Sequence, residues 1–345
     1  MLAIHGSTEE ELKSYFVKIG EKPFRAKQLL QWVYEKRAHK WEEMTDLSKE
    51  LRSRLSEGLC CSSLEWVQTQ ASNDGETLKF LWRLKDKQLI ESVLISSDDR
   101  RTVCVSSQVG CPARCAFCAS GKEGLLRDLT VAEIVEQVYK IDEYLKEKGE
   151  RVSHVVFMGM GEPLENYETV VASIRLLCDP LRLKLSQRRI TVSTVGLVDQ
   201  IKRLAVEGLK VNLVLSLHAP NQRVRQKIIP YARKYFIGDI LAAMLFYAKE
   251  TKRDITYEYT LMAGINDHRD HAAELAQLLM GQPCTINLIP YNPVEGLLLK
   301  RPQKEKIQEF RDILTEAGLN TTWRYTKGKD IAAACGQLAL KKSLT

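Results

Sequence analysis

Gly110-Cys111-Pro112-Ala113-Arg114-Cys115-Ala116-Phe117-Cys118-Ala119-Ser120-Gly121 carries three cysteines spaced C-x3-C-x2-C in a loop that follows an apolar strand. Thiolates are the usual ligands of iron–sulfur clusters, and a [4Fe–4S] cluster that only carries electrons takes four of them. Three thiolates leave one iron open, as catalytic metal centres keep a position for substrate. The triad Cys111, Cys115 and Cys118 therefore predicts a [4Fe–4S] cluster that does chemistry on a bound molecule. Two other readings compete. A structural zinc needs a fourth Cys or His nearby, and Cys104, seven residues upstream across a strand-like segment, is the available thiol. Three buried, inert cysteines are the other possibility.

Around this loop the chain has 345 residues, enough for one large catalytic domain and a smaller appendage. A hydrophobic content of 44% and a charged content of 28% fit a soluble globular protein. The longest apolar run, Ile240 to Ala248, is far too short to cross a membrane. Met1 to Leu12 has no basic segment followed by an apolar core, so no secretory signal is expected. Nine cysteines, an odd number, argue against a secreted disulfide scaffold and for the cytoplasm. The net charge of +7 is compatible with a polyanionic partner without requiring one.

Residues 1–57 read as helical. Ser7 with Glu10 and Thr8 with Glu11 offer overlapping capping boxes. Pro23 opens a second helix with Ala26, Leu29, Leu30 and Val33 at helical spacing. A third begins near Ser48, with Leu47, Leu51 and Leu55 in one stripe and Lys49, Arg52 and Arg54 outside it. This is either a basic module or an ordinary solvated face. Strand periodicity follows over 64–68, 77–84 and 88–95, with Asn73-Asp74-Gly75 as a hairpin turn. Glu91 alternates with Leu89, Val93 and Ile95. It could point among apolar neighbours, where desolvation favours a base, or lean into solvent at the strand end, as the pattern alone favours.

From Thr102 strands alternate with helices. Strands are expected at 102–106, 152–158, 189–193, 211–217, 255–261 and 285–289, with helices at 130–148, 167–178, 198–207, 239–249, 268–280 and 303–317. Six β/α units predict an α/β fold, a partial (β/α)6 barrel; no G-x-G-x-x-G turn follows the first strand to support a doubly wound sheet. Ligands of such barrels gather at the strand ends. There the sequence places the cysteine loop, Gly159-Met-Gly161-Glu162-Pro163, Ser193 and Thr194, Ser216-Leu217-His218, and Tyr291-Asn292-Pro293.

Read together, these stretches resemble the radical SAM (S-adenosylmethionine) RNA methyltransferases of the RlmN/Cfr family, and its RlmN branch more strongly. The likeness runs from Gly20-x-x-Pro-Phe-Arg25-Ala-Lys-Gln28 to Ala334-Cys335-Gly336-Gln337-Leu338. Between them lie Cys104-Val-Ser-Ser-Gln-Val-Gly-Cys111, the cysteine triad, Gly159-Met-Gly-Glu-Pro163 and Ser216-Leu-His-Ala-Pro220. Pro163 and Ala219-Pro220 favour the RlmN branch over the adenine-C8, antibiotic-resistance branch. The resemblance implies a radical SAM barrel over 101–325, an N-terminal RNA-binding-like helical domain over 1–57, a β extension with Glu91 over 58–100 and a C-terminal loop with Cys335 over 326–345. It implies methylation of carbon 2 of adenine in 23S rRNA and tRNA, using one [4Fe–4S] cluster on Cys111, Cys115 and Cys118 and two SAM molecules per turnover. Gly161, Glu162, Ser193, Ser216, Leu217, His218 and Asn292 match SAM contacts. Cys335 matches the cysteine that becomes S-methylated, Cys104 its disulfide partner, and Glu91 the general base. A flavodoxin-like one-electron reductant, a monomer and no membrane partner are also implied. Candidate phosphate contacts are Arg182, Lys184, Arg188, Arg189, Arg223, Arg225, Lys227, Arg233, Lys234, Lys327 and Lys329.

Overall fold

Leu2–Ala3 (β1) and Leu59–Cys60 (β2) pair in parallel and tie together the ends of a small helical module, in which α1 (Glu9–Lys18), α2 (Arg25–Leu30) and α3 (Lys49–Gly58) lie between them. The computed structural model describes residues 1–324 and 327–339. Of the two possible capping boxes, Thr8 with Glu11 forms, whereas Ser7 is buried and donates to the Ala3 carbonyl. Pro23 stands two residues ahead of α2, and its carbonyl accepts from the Ala26 N–H. The two predicted apolar stripes close into one core with Leu12 and Phe16, separate from that of the barrel.

Strands β3 (Leu64–Ala71), β4 (Thr77–Leu84), β5 (Leu89–Ser97) and β6 (Arg100–Cys104) run antiparallel in sequence order, with Gly75 supplying the left-handed turn residue at φ 69°. β7 (Gln108–Gly110) and β8 (Leu125–Asp128) form a separate ribbon that brackets the cysteine loop. From β6 the main sheet continues in parallel through β9 (His154–Phe157), β10 (Ile190–Thr194), β11 (Asn212–Ser216), β12 (Ile255–Leu261), β13 (Cys284–Pro290) and β14 (Asn320–Trp323). Helices α4 (Val131–Tyr144), α5 (Tyr167–Cys178), α6 (Val198–Ala205), α7 (Gln222–Ile228), α8 (Ile237–Thr251), α9 (Arg269–Leu279) and α10 (Lys304–Glu316) intervene. Among the described residues the sheet has ten strands with β3 and β14 at its edges, so the barrel is partial, as expected.

All six expected β/α units are present, and β14 adds a seventh parallel strand. Its residues, Asn-Thr-Thr-Trp, carry no apolar run, and pairing with β13 alone makes them a strand. The helical module docks on α4, where Tyr139 enters its core. The Arg37 guanidinium reaches Asp142 Oδ2 at 3.0 Å and donates to the Asp142 and Glu150 carbonyls. Arg182 holds the same interface from the barrel side, donating to Tyr34 Oη and to the Ile4 and Ser7 carbonyls. At 2% exposure Arg182 is a structural cation, which removes it from the candidate phosphate contacts. Of the C-terminal loop placed over 326–345, residues 326 and 340–345 lie outside the described residues.

Candidate active site

The cysteine loop is fixed from several sides by its own backbone. Cys111 N donates to Gly124 O, Cys118 N to Cys115 O, Ala116 N to Ile228 O and Ala119 N to Gly336 O, all at 2.8–3.1 Å. Gly121 packs against Arg114, where a Cβ would come 2.8 Å from Arg114 Cα. Arg114 itself is left-handed at φ 51°, a strained setting for a non-glycine residue. All three thiols are free. Burial pushes Cys111 up to about 12, holds Cys115 well above the ordinary thiol range and raises Cys118. Cys115 also feels the other two thiols, and only the buried Arg225 guanidinium eases it.

The donor set suits a cluster with three thiolates better than a closed zinc site. Cys104, the only fourth ligand the spacing offered, lies on β6 facing Cys335 instead.

The strand ends converge beside this loop. Gly159 and Gly161 pass hard against residues 105–108, where a Cβ on Gly159 would meet Val105 O at 2.6 Å and one on Gly161 would meet Ser107 Oγ at 2.6 Å. Glu162 is 2% exposed; its carboxylate accepts from Leu164 N at 3.0 Å and Val195 N at 2.8 Å, clamping two strand-end loops. Desolvation nevertheless pushes Glu162 up to about 7. Ser193 Oγ and Ser216 Oγ stand 3.2 Å apart on neighbouring strands. Leu217 is buried, and its N–H joins the Glu258 carbonyl. His218 adopts φ 53°, and its Nδ1 accepts from Thr260 N at 3.0 Å. Burial lowers it to about 3, so the ring is neutral, and Phe117 of the cysteine loop meets it edge-on at 4.9 Å. Asn292 Nδ2 donates to the Cys335 carbonyl at 3.3 Å. Four buried polar atoms in this region, Ser107 Oγ, Arg225 Nη1, Tyr291 Oη and Asn292 Oδ1, have no hydrogen-bond partner. Buried groups are ordinarily satisfied, so this is unused capacity for a polar ligand such as SAM.

The C-terminal loop lies across the barrel mouth. Ser120 Oγ donates to Leu338 O at 2.6 Å, Gln337 Nε2 to Pro293 O at 2.9 Å, and Lys79 Nζ to Ala332 O at 3.3 Å. This brings Cys335 and Cys104 to one cavity of about 740 Å³ inside the barrel. Cys335 is exposed by area, but that area faces the cavity; its surroundings push the thiol up to about 11. Cys104 is raised by burial and by its neighbour Cys335. Glu91 shares a sheet face with Cys104, because Val93, two residues along β5, is the register partner of Cys104. At 1% exposure it does not lean into solvent. Its Oε2 accepts from Ala339 N at 3.0 Å, and its Oε1 stands 3.3 Å from Lys79 Nζ in an ion pair without a directed hydrogen bond.

The cysteine loop, the strand-end residues and the Cys335 loop thus lie at one end of the barrel, while Glu91 lines a separate cavity of about 850 Å³ with Lys79, Ala119 and Ala339. Arg225 departs from its expected role. It is fully buried and donates to the Val195, Ser216 and Leu217 carbonyls, so it braces the strand ends and is not a phosphate contact. Sequence reasoning also passed over Glu258, a buried carboxylate of β12. Its signal was the alternation Thr256, Glu258, Thr260 in an otherwise apolar strand, the mark of a polar inner face.

Comparison with known proteins agrees with this fold. Residues 3–61 match the family model of the ribosomal RNA large subunit methyltransferase N-terminal domain, and residues 105–276 match that of the radical SAM superfamily. The chain is 61% identical over 338 residues to "Probable dual-specificity RNA methyltransferase RlmN 2" of Protochlamydia amoebophila, covering 98% of this chain and 93% of that one. It is 45% identical to the RlmN protein of Bacillus licheniformis, with 99% and 94% covered. A crystal structure of a radical SAM methyltransferase from Sphaerobacter thermophilus superposes with a TM-score of 0.96 at 44% identity, covering 98% of this chain and 99% of that one.

Proposed function

The chain belongs to the RlmN family of radical SAM RNA methyltransferases, and we propose that it methylates carbon 2 of adenine in 23S rRNA and tRNA through a methyl-cysteine on Cys335. The observation that carries this reading is the fold of the C-terminal loop, which places Cys335 and Cys104 in one cavity beside the cysteine triad. Cys111, Cys115 and Cys118 would hold the [4Fe–4S] cluster. When bound and reduced by a flavodoxin-like donor, that cluster supplies the electron that cleaves SAM to methionine and a 5′-deoxyadenosyl radical.

The protein's own residues do the rest. Gly161, Glu162, Ser193, the Ser216–His218 segment and Asn292 position SAM, with the unpartnered Asn292 Oδ1 available to it. Carbon 2 of adenine is electrophilic and cannot take a methyl cation. Cys335 Sγ therefore receives the methyl first, as a nucleophile that must shed its proton. Loss of a hydrogen atom from that methyl leaves a carbon radical that adds to the ring. Glu91 accepts the ring proton from the adduct, whose unpaired electron would pass to a one-electron acceptor, the oxidised cluster that the triad would hold. Cys104 Sγ then attacks Cys335 Sγ; the Cys335 Sγ–CH2 bond breaks with its electron pair going to carbon, which takes up a proton to become the methyl group, and a disulfide is left for reduction. The target adenine must leave its stack to reach Cys335. Lys184, Arg188, Arg189, Arg223, Lys227, Arg233, Lys234, Lys327 and Lys329 remain candidate phosphate contacts. This reading places a monomer in the cytoplasm with its RNA substrates.

The test is nucleoside mass spectrometry after incubation with 23S rRNA fragments, a tRNA pool, SAM and a one-electron reductant. 2-Methyladenosine is expected in both RNAs, and Cys335→Ala is expected to abolish it. 8-Methyladenosine as the main product would overturn the assignment.

A further inference from the structure

The cavity that holds Cys104 and Cys335 runs down the barrel to the end where the parallel strands begin, opposite the cysteine loop. Arg100 opens β6, His154 opens β9, and Arg188 and Arg189 stand in the turn ahead of β10; all four line the cavity. Arg100, Thr102 and Cys104 alternate along one face of β6, so Cys104 lies about 7 Å from Thr102 and about 13 Å from Arg100. Arg100, Arg188 and Arg189 are exposed, and among the described residues none of them has an ion-pair partner. His154 is lowered first by burial and then by the charges of Arg100 and Arg189. The charged residues lining this cavity are Arg100, Arg188, Arg189, Arg324 and Lys327, against Asp254 alone. Arg324 stands 3.7 Å from Glu258 and Lys327 2.7 Å from Glu76, which leaves the three arginines at the strand starts without a counter-ion. The cavity beside Glu91 has the reverse balance, with Lys79 and Lys122 facing Glu91, Glu123, Glu295 and Asp330. At the cysteine-loop end, access to Cys335 is closed by the bonds of its own loop to Ala119, Ser120 and Pro293. The helical module docks toward the strand-start end, where Arg151, just ahead of β9, donates to the Tyr34 and Glu35 carbonyls. Like charges gathered around an opening repel one another, and an arriving anion relieves that repulsion.

We propose that the RNA enters the barrel at its strand-start end, with the phosphates that flank the extruded adenine seated on Arg100, Arg188 and Arg189. The inference rests on the reading of the chain as an RNA methyltransferase and adds the face on which its substrate docks. A guanidinium presents a planar fork of donors that matches phosphate oxygens, so three of them hold a backbone on both sides of one nucleotide. The extruded base passes Thr102 and His154 and meets Cys335 from the side of Cys104. SAM lies at the strand ends, on the far side of the same thiol. The two reactants therefore reach Cys335 from opposite ends and do not compete for one opening. Phosphate contacts position the RNA without reading its sequence, which leaves recognition of the base to polar walls such as Thr256 and Asn287.

The test follows binding of a fluorescent 23S rRNA fragment carrying the target adenine, by anisotropy, between about 0.1 and 1 M salt. Arg100→Gln/Arg188→Gln/Arg189→Gln should flatten the slope of log affinity against log salt by about 2, at about 0.7 per lost contact on single-stranded RNA. The two lines converge near about 1 M, so affinity at about 0.1 M should fall roughly 10²-fold. Lys249→Gln/Lys304→Gln/Lys306→Gln removes the same charge from exposed positions of α8 and α10 and should change the slope by well under about 1. In the wild-type protein, 4-thiouridine placed beside the target adenine should cross-link on irradiation to peptides carrying Arg100 or Arg188 and Arg189, read by mass spectrometry. An unchanged salt slope in the arginine variant, an equal loss in the lysine variant, or wild-type cross-links confined to the peptides of Lys122 and Glu295 would overturn the proposal. A wild-type protein that binds no RNA would overturn the RNA methyltransferase reading and this inference with it.

Discussion

Glu91 is buried against a single ammonium, that of Lys79, and is tied through Ala339 to the loop that carries Cys335. Its environment therefore depends on the C-terminal loop being closed, which couples the base to the presence of the methyl carrier. If Glu91 removes the ring proton, Glu91→Gln should stop the reaction after the RNA has become attached to Cys335. A covalent protein–RNA adduct should then persist on a denaturing gel, with turnover reduced by about 10²–10⁴-fold. Normal turnover with no retained adduct would exclude Glu91 as that base. Removing the anion also leaves Lys79 buried without its counter-ion, so a stability loss of about 3 kcal/mol accompanies the change. The adduct is the readout that distinguishes the role, because lost stability alone produces none.

The docking of the helical module shows how one buried pair fixes a whole element. Asp142 on α4 is 1% exposed and raised by burial; the Arg37 guanidinium and the Val152 N–H hold it from opposite sides. Arg37→Met should cost about 3 kcal/mol in urea unfolding, because it leaves the buried carboxylate only the Val152 N–H and Arg151 at 3.9 Å, whereas adding Asp142→Leu should restore most of that loss. Equal losses in the single and double variants would show that packing, not charge, joins the module to the barrel. Elements of this kind were legible in the sequence where an apolar run and a cap coincide. The Thr130 capping box and the apolar face behind it specify α4, and the six predicted strands are runs with few polar breaks. β7, β8 and α7 were not legible, because they are short and mixed, and their partners lie elsewhere in the chain. The site shows the same division. The cysteine triad and the strand-end motifs are local patterns. Nothing local to Cys335 reveals its role, which depends on contacts with residues more than two hundred positions away.

At the scale of the whole molecule, two cores meet at α4, and each encloses a histidine that is neutral in the folded state. His5 of the module contacts Tyr34 Oη at 2.8 Å and stacks near Tyr139 at 4.4 Å, and burial lowers it to about 3. His218 at the barrel mouth is lowered to about 3 for the same reason. A histidine whose folded value is depressed contributes stability that is complete above its unfolded pKa near 6.5 and is lost as pH falls toward 3. Between pH 7 and 5 the unfolded chain takes up most of a proton that folded His5 refuses, a loss of about 2 kcal/mol. Glu162 acts in the opposite direction. Raised to about 7, it is protonated in the folded state first, so over the same interval it returns a stabilisation of similar size. Glu162 therefore offsets about one of the two histidine contributions, and a difference measurement is needed to isolate that of His5. His5→Gln removes the titrating ring while keeping a polar side chain for Tyr34. The stability gap between wild type and this variant, from urea unfolding at pH 7, 6 and 5, should shrink by about 2 kcal/mol as the pH falls. A gap independent of pH would mean that water reaches His5 in solution and that the module does not stay sealed against α4. A gap that closes as expected would establish that the helical module stays docked on α4 in the folded protein, since an undocked module would leave His5 open to protonation.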